Sequence, residues 1–381
     1  MRVFLKNKKI ILSSHQNNMQ MKKNIALSIF AALAVLMLLN GCANNPAGNA
    51  FVAKPNAIGK INSLKVVADD ALWESPVKDT FEFYFESAYP LLPQPEPLFD
   101  VAHFTPKTFE DYPVKREYAN MIFLANLSDK SSPTTRLVLK DFGKEKIGAL
   151  KSSGKKYTVT IGRDKWAKGQ VLVYLVGFSK EDLIDNIKKN YAGAVKRIQK
   201  ENEDRVEAEV FAGGVSGEMT KLVEDQLGVR MRIPPKYFKA VAKDNFVWLR
   251  KETRRLSLNI MLYKMKYTDK SIFSKDRIIA IRDSLGRKYV STPRPDTYMR
   301  VNNVDLPVFS NITEINGNYT VRVVGIWDIV NDFMGGPFVT YMIHSTKTNE
   351  VLFADVFLHA PTEEKRDHMI RLEQVLKTIE F

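Results

Sequence analysis

The chain reads as an α+β protein built from two pseudo-repeated halves, each a mostly antiparallel sheet covered by helices. Three observations predict this. Short apolar runs with strand composition are bounded by proline, glycine and polar turns, and Leu256–Tyr263 alternates Leu256, Leu258, Ile260, Leu262 against Ser257, Asn259, Met261, Tyr263. Between these runs lie stretches with apolar residues at helical spacing. An ordered set of landmarks also recurs. Phe104-Thr105-Pro106-Lys107-Thr108-Phe109 answers Ile233-Pro234-Pro235-Lys236-Tyr237-Phe238, Tyr157-Thr158-Val159 answers Tyr319-Thr320-Val321, and Trp166 answers Trp327.

The first element is an address. Lys22 and Lys23 precede an uncharged apolar run from Ile25 to Leu39, which ends in Leu39-Asn40-Gly41-Cys42. A run of that length suits a signal-peptide core and falls short of the roughly 20 residues of a membrane span. Gly41 before Cys42, the only cysteine, makes a lipobox. The thiol would be joined to diacylglycerol and the leader, residues 1–41, cut away. Met19 or Met21 is a better start for such a leader than Met1. Residues 42–62, rich in Asn, Ala, Gly and Pro, read as a flexible tether. The first half is then 63–228 and the second 229–381.

In the first half the composition predicts a strand at Leu64–Ala68. A helix follows, opened by Ser75-Pro76 and carrying Val77, Phe81, Tyr84, Phe85 and Ala88. The proline-rich stretch Tyr89–Pro97 admits neither helix nor inner strand. Strands are expected near Phe99–Phe104 and Tyr118–Leu127, then a polar connection, then Tyr157–Ile161 and Val171–Phe178. Ser179 with Asp182 resembles a capping box, opening a charged amphipathic helix to about Phe211. A second helix, about Glu218 to Leu227, stops at Gly228.

In the second half a strand is expected from Val229, followed by Pro234-Pro235 and strands at Phe246–Arg250 and Leu256–Tyr263. A helix covers Lys275 to Leu285. Tyr319–Trp327, Phe338–Ser345 and Val351–Leu358 form a meander with a turn at Lys347-Thr348-Asn349. The last helix starts at Thr362 and buries Met369, Leu372, Val375, Leu376 and Ile379.

Charge and chemistry narrow the function. Six of the 57 Lys+Arg residues and none of the 43 acids precede Cys42, so the formal charge falls from +14 to +8 in the remainder. No long single-sign run marks a nucleic-acid face, and none is expected as partner. With Cys42 given to lipid, disulfides and thiol chemistry are excluded. No metal-ligand spacing, P-loop, dinucleotide fingerprint or Gly-x-Ser-x-Gly elbow occurs, so no cofactor, metal or catalytic set is expected. Candidate binding residues lie in three irregular stretches, Leu92–Pro97, Pro293–Met299 and Trp327–Phe338. Gln94 and Glu96 stand among prolines. Trp327, Asp328, Asp332 and Phe333 combine aromatic rings with carboxylates, a composition that suits sugars. At least two of the three stretches are expected to converge in one concave patch that exposes Asp328 or Asp332.

Several motifs occur in order: Leu92-Pro93-Gln94-Pro95-Glu96-Pro97-Leu98-Phe99-Asp100, Asn245-Phe246-Val247-Trp248-Leu249-Arg250, Arg282-Asp283, Gly325-Ile326-Trp327-Asp328, and Asp332-Phe333-Met334-Gly335-Gly336-Pro337-Phe338. By these the chain resembles an uncharacterised Bacteroidetes lipoprotein family, a domain of unknown function. The second half is similar to a Mog1/PsbP-type sandwich in element order alone. The resemblance implies an envelope lipoprotein, most simply in the outer membrane facing the periplasm, and assigns no site residue. The leading expectation is a non-enzymatic binding or assembly module with an envelope protein or glycan as partner. The alternative is a glycan-active or other hydrolase of unfamiliar type, using Asp328, Asp332 or Glu96.

Overall fold

The computed structural model describes residues 53–90 and 92–381; the leader, the lipobox and Cys42 lie outside them. Residues Pro55–Phe381 form one compact unit containing two sheets.

The first half opens with β1 (Ser63–Val67), followed by the short helix α1 (Asp70–Trp73) and by α2 (Pro76–Phe85). Ser75 caps α2, its Oγ accepting the Val77 N–H at 3.4 Å. Then come β2 (Asp100–Phe104), α3 (Pro106–Asp111), β3 (Asn120–Asn126), α4 (Pro133–Ser152), β4 (Tyr157–Arg163), β5 (Val171–Gly177), α5 (Lys180–Glu201), α6 (Glu203–Val210) and α7 (Gly217–Leu227). The sheet order is β2-β1-β3-β5-β4. β1 pairs in parallel with β2 and β3, and β3 in parallel with β5; only β4, joined to β5 by a short loop, is antiparallel. The expected mostly antiparallel sheet is therefore corrected for this half. The cause is α4, which fills the supposed polar connection between the third and fourth strands. A crossover of that length lets β5 return parallel to β3. Both strands are buried nearly throughout, as a sheet covered on two faces requires.

The second half contains β6 (Phe238–Lys243), β7 (Phe246–Glu252), β8 (Ser257–Lys266), α8 (Lys275–Tyr289), β9 (Tyr298–Asn302), β10 (Phe309–Ile315), β11 (Asn318–Val330), β12 (Gly335–Ser345), β13 (Glu350–His359) and α9 (Arg366–Leu376). Its sheet is antiparallel, ordered β10-β11-β12-β13-β8-β7-β6, with β9 against the far end of β11. The meander and its turn are where the sequence places them. β6, β9 and β10 are additional, and the expected strand from Val229 is a connection outside the sheet ladder, bridged at Arg230–Glu380 and burying Val229, Met231 and Ile233 in the core. One face of the sheet packs on α7 and α9 through residues such as Leu227 and Leu372; the other packs on α8 through Ile278 and Leu285.

The two topologies overturn the internal repeat. Pro106 is the first residue of α3, whereas Pro235 stands in a turn before β6. Trp166 lies in the loop between β4 and β5, whereas Trp327 is buried within β11. A parallel crossover sheet and an antiparallel meander share no superposable core, so the matched landmarks are coincidences of composition. The end of the expected tether also differs. Ala57 N–H donates to the Lys168 carbonyl at 2.8 Å and Ile58 N–H to that of Glu117 at 2.9 Å, pinning these residues to the body.

The halves are joined by the proline-rich stretch. Glu96 is buried, and its carboxylate accepts the backbone N–H of Lys365 at 2.6 Å and of Arg366 at 2.8 Å. These are among the orphan donors of the α9 N-terminus, where negative charge is favoured. The helix therefore starts at Arg366 and not at Thr362. Arg366, itself buried, donates to the Pro97 carbonyl at 2.5 Å and to both Asp100 oxygens at 3.1 and 2.8 Å. Lys365 Nζ donates to Gln94 Oε1 at 2.5 Å, and Asn62 Nδ2 to Asp367 at 2.9 Å.

Removing the carboxylate leaves two buried N–H groups unpaired, which costs about 2 kcal/mol. Glu96→Ala is expected to lower unfolding free energy in denaturant titration by about that amount, against less than about 1 kcal/mol for Gln94→Ala, which removes one bond at the edge of the contact. Equal effects from the two variants would contradict the cap.

Candidate functional site

A cleft of about 730 Å³ lies between the halves. One wall is the C-terminal part of α5 and the start of α6, with Val195, Lys196, Gln199, Lys200, Glu203 and Val206. The opposite wall is the part of the second sheet that α9 leaves uncovered: Asn311 and Thr313 on β10, Arg322 and Val324 on β11, and Val339 and Tyr341 on β12. Strand alternation places these residues on one face. α9 supplies Met369, Ile370 and Glu373, and the stretch held by the Glu96 cap supplies Tyr89, Pro90 and Leu92.

A charged group forms the floor. Arg322 donates Nε and Nη2 to the two Glu373 oxygens at 2.5 and 3.1 Å, a bidentate pair, and the Tyr341 hydroxyl donates to Glu373 Oε1 at 2.6 Å. Burial works to raise the Glu373 carboxyl, but the charge and hydrogen bonds of Arg322 and the Tyr341 hydroxyl hold it below its ordinary value. The neighbouring tyrosines shift upward: burial and the Glu373 charge push up Tyr341 and Tyr89 alike. Towards the mouth, Lys377 pairs with Glu203 at 2.9 Å, while Lys196 and Lys200 are exposed and make no side-chain bond.

The candidate residues read from sequence separate into two places. Gln94 and Glu96 bind the start of α9, as described. Trp327 is buried, its ring edge-on to Phe357 at 5.4 Å with an indole N–H that has no protein acceptor. Asp328 accepts from Arg300 Nε at 2.8 Å and from Asn302 Nδ2 at 3.1 Å. Asp332 faces Arg294 at 3.6 Å, and Phe333 beside it is 95% exposed. A hydrogen bond from Thr292, then the Phe333 N–H, hold the Asp332 carboxyl below its ordinary value. Two of the three irregular stretches thus meet, with Asn331 Nδ2 also donating to the Asp296 carbonyl at 3.1 Å. Leu92–Pro97 goes to α9 instead. Of the expected patch, only Leu92, Pro337 and Phe338 reach the cleft; Asp328 and Asp332 do not line it.

Sequence reading missed Arg322, Tyr341, Glu373, Lys196 and Lys200. One signal was present: Glu373 interrupts the apolar stripe of the last helix between Leu372 and Val375, and Arg322 interrupts the apolar alternation of β11. A charge at such a position needs a partner. Among the described residues no group of three or more His, Cys, Asp or Glu side chains could hold a metal, and no helix is long and apolar enough to cross a membrane.

The class these features define is a two-part α+β body with a cleft at its seam. Residues 57–211 match the family model described as a domain of unknown function, DUF8532, and residues 216–378 match that of a second, DUF4837. None of the curated proteins matches the chain. Among solved structures, a point mutant of the protein Mog1 is 12% identical with a TM-score of 0.27, over 40% of this chain and 89% of that one. The Saccharomyces cerevisiae Ran-binding protein Mog1p gives 11%, 0.27, 40% and 89%, and the human StarD13 (DLC2) lipid transfer and protein localization domain gives 12%, 0.20, 42% and 94%. Likeness at that level carries no argument.

The Glu373 shift sets a pH dependence. A carboxyl whose folded pKa is depressed contributes stability that is present above its unfolded value, near 4.5, and lost as pH falls through the folded value. Unfolding free energy of the wild type is expected to fall below that pH more steeply than that of Glu373→Gln in parallel denaturant titrations. Parallel curves would contradict the pair.

Proposed function

We propose that the protein is a lipid-anchored cell-envelope protein of the uncharacterised Bacteroidetes lipoprotein type, held by an acylated Cys42, whose body is a non-enzymatic binding or assembly module. The observation that carries the anchor is the sequence of Lys22-Lys23, an uncharged apolar run and Gly41 directly before a lone cysteine. Several acyl chains, each buried CH₂ contributing about 0.8 kcal/mol, would hold it firmly. The outer membrane facing the periplasm is the location this address suits best.

The binding reading is supported by the seam. A concave site at the junction of two halves is the usual place for a ligand. The partner proposed is an envelope protein or a glycan component, with nucleic acid outside its reach. The hydrolase alternative fares less well. A glycan-cleaving acid needs a carboxyl with raised pKa beside a second carboxylate. Asp332 is shifted the other way, Asp328 is engaged by Arg300 and Asn302, and Glu96 is spent on capping α9.

Palmitate labelling with mass spectrometry of the mature amino terminus tests the anchor. The expected outcome is a lipidated Cys42 at the first position and loss of label in Cys42→Ser, with the body still folded. A different amino terminus, or an unmodified Cys42, would contradict it.

A further inference from the structure

We propose that the cleft between the halves binds a single-chain anionic amphiphile, an apolar tail with one small acidic head. This goes beyond the partner classes named above and rests only on the reading of the body as a binding module. The lining is mixed: Leu92, Leu98, Val206, Val324, Met369 and Ile370 supply an aliphatic strip, set among polar groups such as Gln199, Asn311 and Thr313. At about 730 Å³ the cleft has the size of a small-ligand pocket and not of a surface for a folded partner.

Charge selects the head. Among the cleft's ionic groups, Arg322 is matched by Glu373 and Lys377 by Glu203. Lys196 and Lys200 remain, one helical turn apart on α5 and without side-chain partners, so the mouth carries two uncompensated positive charges. Arg322 keeps a quarter of its side chain exposed while its fork is held by Glu373. The cleft therefore offers an aliphatic strip beside a charge-paired Arg322–Glu373 floor, and it ends in a cationic rim. A neutral apolar molecule would leave that rim unused, and a multiply charged glycan would bring more charge than two lysines match and bury polar groups against the aliphatic strip at a cost. An amphiphile satisfies both ends: its tail displaces water from the aliphatic residues and its acidic head meets the two ammonium groups.

The test uses the full chain carrying Cys42→Ser, so that no acyl group of its own competes, titrated with the fluorescent fatty acid cis-parinarate below its micelle concentration. Methyl parinarate serves as the uncharged probe. Thr313→Trp, which puts a bulky ring into the cleft from an edge strand, supplies the baseline for any binding by the leader's apolar run. Saturable binding of one parinarate per chain is expected, lost in Thr313→Trp. The ester is expected to bind about tenfold more weakly, the difference expected for losing a charge-assisted contact. Lys196→Gln with Lys200→Gln should weaken the acid by a similar factor and leave the ester unchanged, with the circular dichroism spectrum retained. Stronger competition by dodecyl phosphate than by laurate would assign a phosphate head, and the reverse a carboxylate.

Equal binding of acid and ester, or equal binding by wild type and Thr313→Trp, would overturn the proposal. So would displacement of the probe by a glutamate-rich extended peptide but not by laurate, an outcome that would turn the cleft and the β10 edge into a peptide site. Failure here alongside successful palmitate labelling would leave the anchored reading standing without this ligand.

Discussion

Two backbone N–H groups at the start of α9 have no partner in their own helix, and a carboxylate from the other half of the molecule takes both. Much of the body's arrangement follows from that demand. Glu96 reaches Lys365 and Arg366 from a segment that could not be regular structure, because its prolines withhold donors and restrict φ. The same prolines fix φ along a loop that folds back on itself, the Tyr89 N–H donating to the Glu96 carbonyl at 2.7 Å, so ordering it costs less than it would for a flexible loop. Arg366 then reaches back to Asp100 and the Pro97 carbonyl, so each half completes the polar requirements of the other. Such a junction is difficult to open in parts. Leaving either charge buried without its partner costs far more than the pair contributes.

The cleft is a consequence of the junction. With α9 tied at its first turn to the proline-rich segment and further along to α6, through Arg371–Glu209 and Lys377–Glu203, it covers only part of the second sheet. The uncovered strip of β10, β11 and β12 becomes a wall. The Arg322–Glu373–Tyr341 group is then needed because a helix with a carboxylate on its buried side must find a cation on the strand it crosses. Structural need and ligand chemistry meet here: the paired charges hold the floor, and the unpaired lysines are left for something else.

Much of the class was legible in the sequence, and the errors have physical causes. Most strand positions were recoverable because each is a short apolar run between breakers; β6, β9 and β10, whose runs are broken by polar residues, were not. Strand direction was harder to read, since Met121–Ala125 and Val171–Val176 are unbroken apolar runs, and only their missing alternation marks a doubly covered sheet. α4 was hidden because its buried face is Thr134, Thr135, Val138 and Phe142, half of it polar by type, and because Gly143 interrupts it at a φ of 72°. The landmark repeat failed because order without topology is cheap. Glu96 stood out among prolines, yet its partner lies 269 positions later, beyond any local pattern. The floor of the cleft was illegible for a similar reason: Arg322 and Glu373, 51 positions apart, meet only once α9 has packed on the second sheet.

Amide hydrogen exchange on the wild type and Glu96→Ala most directly tests whether this junction forms the cleft. If it does, the variant exchanges faster in the first turn of α9 and, together with it, along both walls, near 195–206 and 322–341, while the central strands β3 and β5 keep their protection. Faster exchange confined to Lys365 and Arg366, with both walls unchanged, would show that the cap serves only its helix and that the two halves hold their cleft without it.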